Sequence, residues 1–349
     1  MSNSNLDNPL VSIIILNYNS GELLINCVKS IIKSNYSNYE IIIVDNNSND
    51  QSHIECKKKF EKIKLIENKK NFGYCEGNNI GIKQASGKFI VILNPDTVVD
   101  ENWLKFLIEA YNKNGEGLYQ PKILSLYEEN ILQSTGNYIQ LFGFGYARDK
   151  GERNSTKRNS IEKIGFASGT CLFTSKSVLD KVGLLDPFIF LYLDDLDLGW
   201  RARQIGISSF FVPNSIVFHA ESYILKWSSQ KFYWLERNRK YCILTHYSKK
   251  TLSKMLPTLL IVDILVFFFY LSKGFFIAKI KADLSILKNW AHIKKRRQYL
   301  DSIKKIEDKE LIVNFTDNIF VPKTVFKTFS RQFFDKTILK LSKGIRKKI

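Results

Sequence analysis

The chain has 349 residues, of which 44% are hydrophobic and 25% charged, so it is ordinary for a globular protein and long enough for one large domain and a smaller one. Its net charge of +18 lies in the tail: residues 1–223 hold 24 Lys and Arg against 25 Asp and Glu, and residues 224–349 hold 28 against 9. This asymmetry predicts a boundary near residue 223 and an anionic partner for the tail, and the five scattered cysteines lack metal-type spacing and suggest a reducing compartment.

The first half of the chain begins with a predicted βαβ unit. The polar N-terminal residues contain no signal-peptide core, so we expect this domain in the cytosol. The apolar run Leu10–Leu16 predicts a buried strand, a helical pattern follows, and Glu40–Val44 predicts a second strand that ends at Asp45. A right-handed crossover would place residues 17–20 beside the turn after Asp45. There Asp45 can accept hydrogen bonds from a nucleoside, or it can simply organise a turn.

A glycine-containing segment follows the third predicted strand, Ile63–Glu67. Its sequence from residue 71 is NFGYCEGNNIG, at the start of a helix that should run to Ala85. Gly73 and Gly77 would let backbone N–H groups approach a pyrophosphate, although the segment is not a P-loop.

The fourth predicted strand lies in Phe89–Val99, with the sequence FIVILNPDTVV. Pro95 cannot continue a strand, so Asp96 should stand at the carboxyl edge of the sheet, where ligands bind in open α/β folds. A carboxylate there is a suitable hard ligand for Mg²⁺ or Mn²⁺. The alternative is an Asp that caps the next helix, expected near Glu101–Lys113.

The middle of the chain adds a predicted loop and further polar groups. Tyr138–Ser160 predicts a loop of about twenty residues, for which a lid is one hypothesis. After it, Gly165–Thr174 returns to strand composition, with a break at Ser168 and Gly169.

An acidic cluster and a histidine follow. Asp194, Asp195 and Asp197 lie among apolar residues, which is costly unless they meet a cleft, a cation or water, and the crowding should raise at least one pKa. They would also suit the N-terminus of a helix. His219 ends an apolar run, as expected of a strand-end ligand for Mn²⁺ or of a structural histidine.

The tail combines apolar and basic residues. Met255–Ser272 is about long enough to span a bilayer, but Pro257 and Asp263 interrupt it, so a re-entrant or interfacial hairpin competes with a span. Residues 277–290 repeat apolar side chains at helical spacing among lysines, which predicts either a basic amphipathic helix on anionic lipid or a helix packed on the front domain.

Together these segments resemble the family 2 glycosyltransferases, in particular the rhamnosyltransferase-like branch. The resemblance covers roughly residues 9–222 and depends on six motifs in order: VSIIILNYNS, IIIVDNNSND, NFGYCEGNNIGI, LNPDT, the segment from GFASGTCLFT to LYLDDLDLGWRARQIG, and VPNSIVFHA. It implies an α/β GT-A fold, Rossmann-like, for a domain over residues 9–223. Residues 224–349 would then form a mainly helical, membrane-associating region.

The resemblance also implies roles for single residues. Asp195 matches the catalytic base and Asp96 the metal ligand, with His219 completing the metal site. The nucleotide site would contain Leu16, Tyr18, Asp45, Asn71 and Asn94, with Asp45 on a uracil or thymine imide and Asn94 where many relatives have an aspartate. The acceptor or secondary site would contain Ser168, Gly169, Asp194 and Asp197.

The resulting prediction is an inverting, metal-dependent glycosyltransferase that uses Mn²⁺ or Mg²⁺. Its donor would be a UDP- or dTDP-sugar, with dTDP-rhamnose as one candidate. Its acceptor would be a lipid-linked or growing cell-surface glycan at the cytoplasmic face of an anionic membrane, with no nucleic acid involved. A nucleotidyltransferase would carry a Gly-rich, Arg-containing loop after the first strand, where Asn17 and Tyr18 stand. A non-catalytic binder of membranes or anionic polymers would explain the tail but not the acidic residues, and a processive synthase would need several spans.

Overall fold

A computed structural model describes residues 8–155, 158–221, 228–319 and 328–349. The chain divides into two compact units. The first contains residues up to 136, 147–198 and 208–222, and the second contains residues 137–146, 199–207 and 223–349. The predicted boundary between residues 223 and 224 lies outside the described residues.

The strands and helices alternate through the first unit, and the end of the second unit is helical. The strands are β1 Val11–Asn17, β2 Tyr39–Asp45, β3 Lys64–Glu67, β4 Phe89–Leu93, β5 Thr97–Val99, β6 Gly117–Ser125, β7 Leu132–Ser134, β8 Asn137–Ile139, β9 Gly145–Ala147, β10 Glu162–Ile164, β11 Cys171–Ser175 and β12 Ser208–His219. The helices are α1 Glu22–Ile32, α2 Ser52–Lys59, α3 Gly73–Lys83, α4 Trp103–Asn114, α5 Lys176–Val182, α6 Asp194–Gln204, α7 Ser229–His246, α8 Lys249–Ser272, α9 Phe276–Lys288, α10 Trp290–Ile303, α11 Asp308–Leu311 and α12 Thr328–Arg346.

The core of the first unit is a mixed sheet covered by helices. Its main strand order is β10-β12-β6-β11-β4-β1-β2-β3, with β5 paired to β12 and β7 to β6. Strands β1, β2 and β4 are parallel and almost wholly buried, which explains their continuous apolar sequences: both faces of the sheet need apolar side chains.

Strand direction brings the ends of distant segments to one edge of this sheet. β1, β2 and β4 end there, and antiparallel β11 begins there because its Cys171 pairs with Leu93 of β4. β6 is antiparallel to β11, and β12 is parallel to β6, so β12 also ends at this edge, at His219. The predicted convergence of polar strand ends on one edge is therefore present.

Two local predictions are corrected. Tyr138–Ser160 is not one irregular loop, because β8 and β9 pair within it as a two-stranded sheet. The helix expected over Glu101–Lys113 begins at Trp103 with Asn102 at its N-cap, so Asp96 does not cap it.

The second unit contains α7 to α12. Trp200 packs its ring against His246, Tyr247 and Phe315, at centroid distances of 4.8 to 5.0 Å. Among the described residues, α8 is the one helix long and apolar enough to cross a membrane, with a mean hydropathy of 2.2 in its most apolar window.

Candidate active site

Asp96 and His219 meet at the carboxyl edge of the sheet. The three-residue strand β5 pairs antiparallel with the end of β12, with Thr97 opposite His219. This pairing places Asp96 Oδ1 3.3 Å from His219 Nε2, and only about a tenth of either side chain is exposed. The sequence separates these residues by more than a hundred positions, and the β5–β12 register joins them.

The histidine ring has a fixed orientation. His219 Nδ1 lies 2.7 Å from Gln133 Oε1, and Gln133 Nε2 donates to the His219 carbonyl oxygen at 2.8 Å. Because an amide oxygen can only accept, Nδ1 donates to Gln133, and Nε2 is the ring nitrogen that faces Asp96. Two ligands on adjacent octahedral positions of Mg²⁺ are about 3 Å apart. The separation and the outer hydrogen bond therefore fit a pair of divalent-metal ligands.

Asp195 is held by the segment that precedes β11. Its Oδ2 accepts a hydrogen bond from the Gly169 N–H at 3.1 Å, and its Oδ1 accepts from the Leu196 N–H at 2.8 Å. Tyr74 donates its hydroxyl to the Gly169 carbonyl at 2.6 Å. A backbone bridge therefore joins the start of α3, the turn before β11 and the first turn of α6.

The three acidic residues form the first turn of α6, as the helix alternative predicted. Asp194 is 6% exposed and Asp197 is fully buried, with its N–H donating to the Leu193 carbonyl at 3.0 Å. Just before the helix, Phe190, Tyr192 and Leu193 have φ values of 64°, 68° and 61°. For bulky residues this left-handed conformation costs about 1–3 kcal/mol each and marks a segment whose geometry the surrounding structure imposes.

Burial changes the acid–base chemistry of this cluster. It raises the pKa of Asp195, against the hydrogen bonds from the Gly169 and Leu196 N–H groups. The pKa of Asp194 is raised well above its usual value, first by burial and then by the neighbouring charge of Asp195. Burial and the same two carboxylates also raise the pKa of Tyr74. The expectation that crowding would raise at least one pKa is confirmed.

Asp45 lies at the end of β2 and is 2% exposed. It accepts hydrogen bonds from Asn17 Nδ2 at 2.7 Å and from the Ser48 N–H and Oγ at 2.8 and 2.6 Å. His53 Nδ1 lies 3.3 Å away. In this structure the Asp45 carboxylate organises its turn, as the alternative reading of this residue had it, and its role toward a nucleoside stays a prediction.

The other predicted nucleotide-site residues surround this edge. Leu16 lies against Gly77, where an added Cβ would stand 2.4 Å from its Cδ1, whereas Tyr18 is 47% exposed. Asn71 Oδ1 accepts from the Gly73 N–H at 2.8 Å and from Asn46 Nδ2 at 3.2 Å.

Asn94 and Ser168 form hydrogen bonds around the end of β4 and the turn before β11. The Asn94 N–H donates to the Thr170 carbonyl at 3.0 Å, and its own carbonyl accepts from Thr97 Oγ1 at 2.8 Å. Ser168 donates its N–H to Gln120 Oε1 at 2.8 Å, and its Oγ lies 3.3 Å from Thr170 Oγ1.

A family comparison identifies this part of the chain. The sequence model of glycosyl transferase family 2 matches residues 12–183, which include β1 through α5. These residues form a family 2 glycosyl transferase domain. The family expected from the motifs is thus confirmed, and the comparisons do not resolve the rhamnosyltransferase-like branch.

Relatives of this glycosyl transferase domain include the low-salt glycan biosynthesis hexosyltransferase Agl10 of Haloferax volcanii. The two are 26% identical over 205 residues, which are 57% of this chain and 63% of that protein. The glucosyltransferase WfgD of Escherichia coli, named for UDP-Glc and α-D-GlcNAc-diphosphoundecaprenol, is 32% identical over 110 residues, or 31% of this chain and 44% of that one. The chain therefore spans less than two thirds of the length of these relatives.

The fold of this glycosyl transferase domain is the predicted GT-A fold. The crystal structure of GalNAc-T7 with UDP, GalNAc and Mn²⁺ superposes with a TM-score of 0.58 at 18% identity, covering 70% of this chain and 49% of the other. The α/β architecture with a helical C-terminal region is confirmed.

Several residues around this site were missed at the sequence level. Tyr74, Gln133, His53 and Asn17 hold the predicted residues in place, but all four are ordinary polar or aromatic residues within elements or turns. Of the four, Asn17 has the clearest signal in the sequence, because it ends β1 one residue before the exposed Tyr18.

A separate acidic cluster lies in the second unit. Glu236, Asp263 and Asp283 bring carboxylate oxygens within 4.8 Å of one another. Lys279 Nζ lies 2.9 Å from Asp263 Oδ1 and 2.7 Å from Asp283 Oδ2, and Lys240 Nζ lies 2.6 Å from Asp263 Oδ1. Because ammonium groups already neutralise these carboxylates, the cluster suits an ion-pair network better than a metal.

Proposed function

We propose that the protein is an inverting, metal-dependent glycosyltransferase that moves a sugar from a nucleoside-diphosphate donor to an alcohol of a lipid-linked or growing glycan. The observation that carries the proposal is the convergence of the Asp96–His219 pair and the Asp195–Gly169 contact on one edge of a GT-A sheet. The names of Agl10 and WfgD, a hexosyltransferase and a glucosyltransferase, support this class of activity.

Asp195 is the proposed general base. The acceptor oxygen attacks the anomeric carbon, its proton passes to the Asp195 carboxylate, and the bond from that carbon to the diphosphate oxygen breaks with its electron pair on the leaving group. A raised pKa makes the carboxylate a better proton acceptor near neutral pH, and a positioned base typically contributes a factor of about 10²–10⁴ in rate.

Asp96 and His219 are the proposed ligands of Mn²⁺ or Mg²⁺. When bound, such a cation supplies stabilisation of the negative charge that grows on the leaving diphosphate. Gln133 keeps the His219 ring oriented for this contact.

The remaining predicted residues divide between donor and acceptor. We assign the nucleotide to a site that contains Leu16, Tyr18, Asp45, Asn71 and Asn94. We propose that this nucleotide is UDP or dTDP, and that dTDP-rhamnose is one candidate donor. We assign Ser168, Gly169 and Asp194 to the acceptor side. Asp197 is fully buried, so its proposed contribution is to the charge of the cluster.

The tail is proposed to place this chemistry at the cytoplasmic face of a membrane. Under this proposal residues 9–223 carry the GT-A domain and residues 224–349 the membrane-associating region. The excess of 28 basic over 9 acidic residues in the latter favours an anionic lipid surface.

The test is thermal stabilisation by a panel of UDP, dTDP, GDP and CMP, each with Mn²⁺ or with EDTA. We expect UDP or dTDP with Mn²⁺ to raise the melting temperature. At a ligand concentration a hundredfold above Kd, binding adds about 2.7 kcal/mol to the free energy of unfolding. Asp96→Ala should abolish the Mn²⁺-dependent part.

Two variants separate binding from chemistry. Asp195→Asn should keep the nucleotide-induced shift but lose at least about 10²-fold in transfer rate to a lipid-linked acceptor. Asp180→Asn, at an exposed position on α5, is the matched carboxylate control and should behave as wild type. If no nucleotide stabilises the wild-type protein, the proposed donor site is wrong.

A further inference from the structure

Helices α8 and α9 expose their apolar side chains. On α8, six large apolar residues are 45–60% exposed: Leu256, Leu260, Ile261, Ile264, Phe268 and Leu271. On α9, five are 39–69% exposed: Phe276, Ile277, Ile280, Leu284 and Leu287. They recur mostly at spacings of three and four, so each helix has a continuous apolar stripe, and we call the two stripes the apolar face.

One lysine of these helices is buried among carboxylates. Lys279 of α9 is 1% exposed and contacts Asp263 of α8 at 2.9 Å and Asp283 at 2.7 Å. Its Nζ also lies 3.6 Å from Glu236 of α7, which is 2% exposed. Asp263 and Asp283 are about a third exposed, so this ion-pair cluster lies at the contacts between the helices, whereas many of their leucines and isoleucines lie outside.

This polarity is the reverse of what water favours. Exposed apolar surface forgoes about 25 cal/mol per Å² of burial, and charges that leave water pay a desolvation penalty that pairing only partly offsets. The first cost disappears when the medium outside the helices is apolar, and inward pairing then keeps these charges out of that medium. Only 22% of the most apolar α8 window is buried, so α8 does not have the burial of a soluble-protein core helix either.

The charges beside the apolar face indicate which apolar medium covers it. Lys281 and Lys288 are exposed on α9, four residues after the exposed Ile277 and Leu284, and thus run along the edge of the stripe. Exposed Lys294 and Lys295 follow on α10, together with Trp290, which is 43% exposed. Lysines along an apolar stripe and a nearby Trp suit a headgroup–acyl boundary with anionic lipids.

The lengths favour a helix pair that lies in the interface. Although α8 as a whole is long enough to cross a bilayer, its exposed large apolar residues run only from Leu256 to Leu271, which is about 24 Å of helix and shorter than the ~30 Å hydrocarbon layer. On α9, Lys281 borders the stripe about midway along the helix, so insertion along the helix axis would draw its charge into the acyl chains. A helix parallel to the membrane keeps it at headgroup level.

We propose that α8 and α9 form an interfacial membrane anchor, in which the apolar face enters one leaflet of an anionic bilayer and the inward ion pairs hold the helices together. This inference deepens the proposed function, since it names the surface that brings the enzyme to a lipid-linked acceptor, and it rests on that function only for the acceptor. The lipid surface is the proposed occupant; a second copy of the chain is the competing outcome of the test.

The first experiment measures partition of the full-length protein onto sedimented vesicles of phosphatidylcholine with and without 30% phosphatidylglycerol. A triple variant, Ile280→Gln with Leu284→Gln and Leu287→Gln, should lower the partition constant at least about tenfold on both vesicle types. Lys281→Gln with Lys288→Gln should lower it by about fivefold per lysine, and only on anionic vesicles. Val313→Gln changes an apolar residue that is 74% exposed in the same unit and should have no effect.

The second experiment measures depth. All five native cysteines are buried, so a thiol-reactive fluorophore can be placed selectively at Leu284→Cys or Val313→Cys. On vesicles the label at position 284 should shift to shorter wavelength and be quenched by lipids with a nitroxide on the upper acyl chain. The label at position 313 should remain in water.

Different results would contradict the proposed anchor and the proposed function. Vesicle binding that survives the triple glutamine variant, or a wild-type protein that ignores vesicles and elutes as an oligomer which the variant dissociates, would overturn the anchor. A wild-type protein that binds vesicles but shows no nucleotide-dependent melting shift would leave the anchor standing and reject the proposed donor site.

Discussion

At the scale of single residues, the start of α6 joins two roles that the sequence left as alternatives. Asp194, Asp195 and Asp197 do form a helical first turn, where the helix dipole favours negative charge. They are also buried beside Tyr74 and Gly169, and burial raises the pKa of Asp194 and Asp195 despite the dipole. A carboxyl in this position favours its protonated form, so the cluster costs folding stability whenever it is ionised.

We predict that Asp194→Asn stabilises the protein at neutral pH. An Asp with a raised pKa in the folded state binds its proton more tightly there than in the unfolded chain. Its contribution to stability is therefore full at low pH and is lost as pH rises from about 3.9 through the folded-state pKa. Each tenfold difference in proton affinity corresponds to about 1.4 kcal/mol. Melting curves from pH 4 to 8 should show that the melting temperature of the variant rises relative to that of wild type as the pH increases.

The control for this prediction is Asp180→Asn, which removes an exposed carboxylate from α5 and should leave the melting curves parallel to those of wild type. An Asp194→Asn protein that melts below wild type at pH 7 to 8 would mean that the helix N-terminus stabilises an ionised Asp194.

At the scale of elements, the sequence predicted the parallel strands closely but did not predict the short antiparallel strands. Leu10–Leu16 and Glu40–Val44 predicted β1 and β2 within one residue at each end, because a buried parallel strand is a continuous apolar run. β5, β8 and β9 have three residues each, too few for an alternating pattern. Yet β5 is the strand that brings His219 to Asp96.

Helix α3 depends on close approach to the sheet, which gives a test at Gly81. A Cβ there would stand 2.4 Å from Ile14 Cγ2 and 3.0 Å from Val44 Cγ2. We predict that Gly81→Ala lowers the free energy of unfolding by about 1–2 kcal/mol, because overpacking costs about 1–3 kcal/mol and exceeds the gain in helix propensity of about 1 kcal/mol.

Gly344→Ala in α12 is the matched control, since the added Cβ would meet no atom within 4 Å. It should raise stability slightly through helix propensity alone. Urea unfolding of both variants measures the difference, and equal effects of the two substitutions would contradict the close packing of α3.

At the scale of the whole molecule, the compact units do not follow the chain order that composition suggested. Residues 137–146 and 199–207 belong to the second unit, although they lie far before the basic tail in sequence. In that unit Trp200 packs against His246 and Tyr247, and Tyr247 donates its hydroxyl to the Leu141 carbonyl at 2.8 Å. The second unit is therefore not continuous in sequence, and the division predicted near residue 223 stays a prediction.

We predict that a chain truncated after residue 223 does not fold stably. It would lose the partners of Trp200 and Leu141, and it would leave Gln204, which donates to the His246 carbonyl at 2.7 Å, without its acceptor. Circular dichroism melting of the fragment should show a transition that is broadened or more than about 5 °C below that of the full chain. Co-expression with residues 224–349 should restore it, and a fragment that melts like the full protein would refute this prediction.

The sequence alone determined the α/β class, the buried parallel strands, the basic composition of the tail and the identity of the polar residues at strand ends. These features are local, because apolar runs, breaking residues such as Pro95 and clustered charges can be recognised within a few positions. The tertiary structure decided the Asp96–His219 pair, the bridge from Tyr74 through Gly169 to Asp195, and the inward ion pairs of α8 and α9. Each of these depends on contacts between residues far apart in the chain, whose register and burial only the folded packing fixes.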